Sequence, residues 1–222
     1  MPRFYQSNKA NGSKLHWNQM FVTFEGPEGA GKSTLVRAIA TRLEKLGCDV
    51  VCTREPGEGD LGKKVRDLLL HGGDLCPQTE LFLFLSDRSN HVDRFIRPAL
   101  AIGKTVLCDR YADSTWVYQS YARGLDPEFV HAANEFATGG LTPNLTILLD
   151  LPPEIGLARL KTQDRLDAEP LSFHQKVREG FLYLASVNRE RFKLVDASQD
   201  AAAVEELAFN LIWNPFEGYS LR

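Results

Sequence analysis

The chain has 222 residues, 43% hydrophobic and 25% charged, which bounds it to one globular domain of ordinary size. Its net charge of −3 gives no electrostatic case for a nucleic-acid partner, and no apolar run is long enough to cross a bilayer, so no membrane partner is expected. Cys48, Cys52, Cys76 and Cys108 lack the paired spacing of a zinc site and read as reduced thiols of a cytoplasmic protein.

Residues 1–18 are polar and hold no secretory h-region. They read as a disordered tail before a domain over 19–222. Arg3, Lys9 and Lys14, with no acid among them, leave mitochondrial import as an alternative. Residues 20–24 are apolar and suit a buried strand. Leu35, Val36, Ile39, Ala40, Leu43 and Leu46 recur at helical spacing, and Gly47 ends that helix.

Between strand and helix lies Gly26-Pro27-Glu28-Gly29-Ala30-Gly31-Lys32-Ser33, followed by Thr34. It fits the phosphate-loop pattern G-x-x-x-x-G-K-[ST] without a gap. A phosphate chain needs several backbone N–H groups aimed at one point, and a glycine-rich curl opening a helix supplies them. Lys32 is placed to reach the β- and γ-phosphates of a nucleotide, and the Ser33 hydroxyl to ligate Mg²⁺.

A second strand over 49–53 runs into Arg54-Glu55-Pro56-Gly57. A helix follows through Leu61, Val65, Leu68 and Leu69. The run 81–85 is apolar all round, so as a helix it needs burial on more than one side, which a subunit interface provides. A third strand over 105–109 ends in Asp109, an acid placed to hold or orient Mg²⁺. Asp126-Pro127-Glu128 is a helix start. A fourth strand, 145–149, ends at Asp150, which reads as a cap for the helix opened by Pro152-Pro153. The segment 159–170 is polar, with Arg159, Lys161 and Arg165. A helix through Phe173 and Leu184, a fifth strand over 192–196 and a last helix over 201–213 complete the chain. This alternation predicts an α/β P-loop NTPase fold: a five-stranded parallel sheet with helices on both faces. Ligands then gather at the carboxyl ends of the strands.

The ordered motifs carry a resemblance. The phosphate loop, Thr53-Arg54-Glu55-Pro56-Gly57, Leu83-Phe84-Leu85-Ser86-Asp87-Arg88, Asp109-Arg110-Tyr111, Asp113-Ser114-Thr115, Tyr118-Gln119 and Asp164-Arg165 together resemble the thymidylate kinases, from about residue 21 onward. The resemblance implies transfer of the γ-phosphoryl of MgATP to dTMP, giving dTDP for dTTP synthesis, in a homodimer. It also implies roles. Lys32 and the loop amides hold the donor phosphates, and Ser33 and Asp109 hold Mg²⁺. Arg54 and Arg110 grip the acceptor phosphate, Glu28 meets the deoxyribose 3′-hydroxyl, and Phe84 stacks on thymine. Arg88 bonds the base edge, and Ser114, Thr115 and Gln119 line the base pocket.

The loop interior has no arginine, so the resemblance points to a mobile lid over 159–170 as the source of the cation that closes the site. Arg165 is the expected catalytic arginine, with Arg159 placed to stack on adenine. The chain departs from the family pattern at Glu58, where a second glycine is usual, and at Asp167, a shorter acid. Other small nucleotide kinases share this fold. A guanine-reading switch protein would need an Asn-Lys-x-Asp element, which is absent, and intact Lys32, Ser33, Asp109 and Arg110 argue against an inert binding module.

Overall fold

A computed structural model describes residues 20–213; the expected tail over 1–18 lies outside the described residues. Five strands form one sheet in the order β2-β3-β1-β4-β5: β1 Phe21–Glu25, β2 Val50–Arg54, β3 Thr105–Asp109, β4 Leu145–Asp150 and β5 Phe192–Asp196. Every pairing is parallel, with Phe24 opposite Asp109 on one side of β1 and Ile147 on the other.

Side chains alternate across the sheet, so the strands feed cores on both faces. Val22, Phe24, Leu107, Ile147, Leu149 and Val195 pack with α1 (Lys32–Lys45) on one face, together with the C-terminal helix over Ala201–Trp213. Phe21, Val106 and Cys108 face the other way, as do Leu148 and Phe192. On that second face α4 (Arg97–Ala101) packs on β3 and α8 (Leu171–Val187) on β4 and β5. The remaining helices are α2 (Gly59–His71), which packs on α3 (Pro77–His91), α5 (Ala112–Thr115), α6 (Pro127–Thr138), which also packs on α3, and α7 (Pro153–Ala158), beside α8; α9 is the C-terminal helix named above.

Two π-helical stretches were not expected. Val92–Ile96 joins α3 to α4, and Trp116–Ala122 continues α5. The wider π turn of the second carries Tyr118 and Gln119 to buried positions. The expected start of α6 is present: Asp126 accepts from Phe129 N at 2.7 Å, behind Pro127. Asp150 does not cap α7. It takes Arg178 of α8 in two hydrogen bonds, Nε at 2.7 Å and NH2 at 2.8 Å. Glu58 sits at the start of α2 with φ −85°, so the chain turns there without a second glycine at that position. Among the described residues no helix is long and apolar enough to cross a membrane.

Candidate active site

β1 lies between β3 and β4, and the chain leaves it through residues 26–31 into α1. This is the point in a parallel sheet where successive connections diverge and a crevice opens. The loop keeps its shape by contact with α7. A Cβ on Gly29 would stand 2.0 Å from the carbonyl oxygen of Gly156, and one on Gly156 would stand 2.2 Å from that of Glu28. Only glycine at both positions allows this approach.

Lys32 is buried and folds back on the loop, donating to Gly26 O at 2.9 Å and Pro27 O at 2.7 Å. Burial and the nearby Arg110 lower its pKa to about 8. The Ser33 hydroxyl donates to Asp109 Oδ2. These two hard oxygen donors fit Mg²⁺, which takes few protein ligands and fills its shell with water and phosphate oxygens. Among the described residues no group of three or more His, Cys, Asp or Glu could hold a metal ion.

A cleft of about 210 Å³ runs from the loop along the ends of β2 and β3. Arg54, Arg66 and Arg110 line it together with Lys32. Arg66, on α2, was missed in the sequence, where a helical arginine between Val65 and Leu69 reads as solvated. Its NH1 donates to Pro56 O at 3.1 Å. Burial and the like charges of Arg54 and Arg110 depress its pKa, a mark of positive charge crowded at one spot. Arg110 has φ 69°, an uncommon conformation for a side chain of its size. It is held by Gly26 O at 3.2 Å, Ser114 Oγ at 3.2 Å and Glu28 Oε1 at 3.0 Å. Ser114 in turn donates to the buried Glu25 at 2.5 Å, so it braces Arg110.

Glu28 is the hub of this end. Besides Arg110, it accepts from the Tyr118 hydroxyl and from His174 Nδ1 at 3.3 Å. Burial works against its charge, but His174, Arg110 and Lys32 outweigh it and lower the pKa to about 2. Tyr118 was quoted only within a motif, and His174 gave no sequence signal beyond its place on an apolar helix face.

At the far end of the cleft are Phe84, Arg88, Thr115 and Gln119. Arg88 is 1% exposed. It pairs with Glu55 through Nε at 2.8 Å and NH2 at 2.7 Å. Its NH1 donates to Thr115 Oγ1 at 2.8 Å and Asn134 Oδ1 at 2.6 Å. A guanidinium has five N–H groups, so these bonds leave one on NH2. Neighbouring Asp87 does not pair with Arg88; its Oδ2 accepts from Gly57 N at 3.3 Å. Gln119 donates through Nε2 to Glu80 at 2.7 Å, and its Oε1 is buried without a partner. The site therefore offers one free donor and one free acceptor at its closed end.

The segment 159–170 divides its cations. Arg159 lies beside the phosphate loop, with NH1 3.4 Å from Gly29 O and 3.2 Å from Ala197 O. Arg165 turns the other way, donating to Leu69 O at 2.8 Å and to Glu80 Oε2 at 2.5 Å. In this structure the guanidinium expected at the moving phosphoryl is held by the buried carboxylate of Glu80 on α3.

Comparison with known proteins agrees with the motifs. The family model described as Thymidylate kinase matches residues 24–208. A thymidylate kinase of Synechococcus sp. (strain JA-2-3B'a(2-13)) is 48% identical, over 87% of this chain and 94% of its own length. One from Oleidesulfovibrio alaskensis is 50% identical, over 84% and 94%. The crystal structure of thymidylate kinase from Ehrlichia chaffeensis superposes with a TM-score of 0.72 at 30% identity, covering 87% of this chain and 98% of that one.

Proposed function

The chain belongs to the thymidylate kinase family and phosphorylates dTMP to dTDP; from that premise we propose how this cleft performs the transfer. ATP is the donor and lies on the phosphate loop, with Arg159 on its outer side. Lys32 exchanges its bonds to Gly26 and Pro27 for the β- and γ-phosphates. Ser33 and Asp109 would hold Mg²⁺, which would supply charge neutralisation on the donor phosphates. Arg54, Arg66 and Arg110 seat the dTMP phosphate, where a planar fork suits a phosphate better than an ammonium does. A dTMP phosphate oxygen forms the new bond to the γ-phosphorus, and the bond to the bridging oxygen of ADP breaks in line. Such a transfer needs positioning and charge neutralisation more than covalent help. Lys32 matters most as charge shifts onto the leaving phosphate.

Glu28 carries the deoxyribose 3′-hydroxyl, Phe84 packs on the base, and Thr115 closes the pocket beside Arg88. The observation that carries the acceptor assignment is the pair of free groups at the closed end. Thymine presents a carbonyl O4 for the Arg88 N–H and an N3–H for Gln119 Oε1. The cysteines Cys48, Cys52, Cys76 and Cys108 are all free, which supports a reducing, cytoplasmic setting. The enzyme is read as a homodimer.

An ADP-release assay across dTMP, dUMP, dGMP, dCMP and AMP tests the reading. dTMP is expected to be best, with dUMP poorer by about 1–3 kcal/mol in transition-state binding for the missing methyl. AMP or dCMP outperforming dTMP under matched conditions overturns it.

A further inference from the structure

We propose that Glu80 is a positioning residue: it fixes which way Gln119 turns its amide, and so makes the pocket select thymine over cytosine. The inference rests on reading the cleft as the dTMP site. Glu80 stands in the first turn of α3 and is 0% exposed, as is Gln119 on the π-helical stretch. A carboxylate only accepts hydrogen bonds. The amide atom facing Glu80 Oε1 at 2.7 Å must therefore be the NH2 group, whichever way the amide might otherwise be flipped.

That leaves Gln119 Oε1 as the atom this side chain can offer a ligand, and it is buried with no partner. An unsatisfied buried acceptor favours a ligand that brings an N–H to it. Thymine carries N3–H between two carbonyls. Cytosine carries a bare N3 at the same place, and two acceptors would then face each other.

Glu80 is itself held by two arginines. Arg123 donates to Oε1 at 3.0 Å through Nε and to Oε2 at 3.2 Å through NH2, and Arg165 donates to Oε2 at 2.5 Å. Arg123 also reaches Glu169 at 2.7 Å. Arg165 and Glu169 both belong to the segment 159–170. The seat of that segment and the reading of the base thus meet at one carboxylate.

The test is steady-state kinetics with ATP on the full chain, comparing kcat/KM for dTMP with kcat/KM for dCMP. In Glu80→Gln a neutral amide can face Gln119 either way, so the dTMP-to-dCMP ratio should fall about tenfold or more. Glu80→Asp keeps an acceptor-only group, and its ratio should stay near native even where kcat/KM itself drops. Arg165→Gln removes one donor that seats Glu80 and leaves Gln119 untouched; it should lower the ratio in the same direction, and it serves as the test where Glu80→Gln fails to fold. A native ratio in Glu80→Gln, or equal changes in Glu80→Gln and Glu80→Asp, overturns the proposal. Should Glu80→Gln not fold, a native ratio in Arg165→Gln overturns it. The native enzyme preferring dCMP would instead sink the reading of the cleft.

Discussion

Lys32 is 7% exposed, and its ammonium is satisfied by two loop carbonyls rather than by water. Burial and Arg110 bring its pKa down to about 8. A bound triphosphate favours the charged form, so binding ATP raises that pKa again. The sign follows: below pH 8 the free enzyme already holds the proton, and above it the proton must be taken up on binding. ATP affinity should fall as pH rises from about 7 to about 9.5, with proton uptake growing over the same range. Titration calorimetry in two buffers of different ionisation enthalpy measures both; an affinity flat across that range would remove Lys32 from the titration. Lys32→Ala should lose most turnover with the fold intact. The loop residues, Asp109 and Arg110 were legible because the chemistry demands their types at fixed spacing after a strand. Arg66, Tyr118, His174 and Glu80 were not. Each lies on a helix whose pattern explains it as surface or core, and only the packing of α2, α3, α8 and the π-helical stretch brings Arg66 and Tyr118 to the cleft and sets Glu80 and His174 behind its Gln119 and Glu28.

The segment 159–170 holds two arginines in different places. Asp164 Oδ1 accepts from the backbone of Leu166 at 2.9 Å and Asp167 at 3.0 Å, which folds the segment into a tight turn and points Arg165 at the end of α2. Arg159, at the end of α7, is left beside Gly29. Arg159→Ala should therefore cut kcat/KM for ATP, on the order of a hundredfold, as loss of a charge contact to the transferring group does. Arg165→Ala should act chiefly on the KM for dTMP, through Glu80. Single-turnover rates and equilibrium dTMP binding on both variants decide it; a large loss of chemistry in Arg165→Ala with dTMP affinity unchanged would return Arg165 to the phosphates. The strands and long helices matched the sequence reading to within a few residues, because their apolar periodicity is set by cores on both sheet faces. The π-helical stretches did not show, since a single extra residue per turn leaves no periodic mark over Val92–Ile96 or Trp116–Ala122.

At the scale of the molecule, α2 and α6 both pack against α3, and all three carry large apolar side chains on their outer surfaces. Phe82 of α3 is 56% exposed and Phe136 of α6 is 91% exposed, and Leu68 of α2 and Phe129 of α6 are exposed as well. The inner side of α3 is committed: Glu80, Leu81, Asp87, Arg88 and His91 are buried, and Phe84 and Arg88 line the cleft. The apolar run over 81–85 therefore has only half its needs met within one chain. Exposed large apolar side chains on neighbouring helices suit a partner surface, and a second copy of the chain, bringing the same helices about a two-fold axis, would offer the matching face. With Phe84 and Arg88 of α3 proposed to meet the base, such an interface would brace the pocket from behind. The wild-type protein should show twice the monomer mass by light scattering at micromolar concentration, and Phe82→Asp should shift it toward the monomer. Burying about 1,000 Å² or more is needed for a stable contact, so one charge at its centre should weaken it severely. Loss of dimer in Phe82→Asp should also raise the KM for dTMP, as Arg88 and Glu80 lose the support of a packed outer face. A monomeric wild type, or a Phe82→Asp variant that remains fully dimeric, would show that this face serves another purpose.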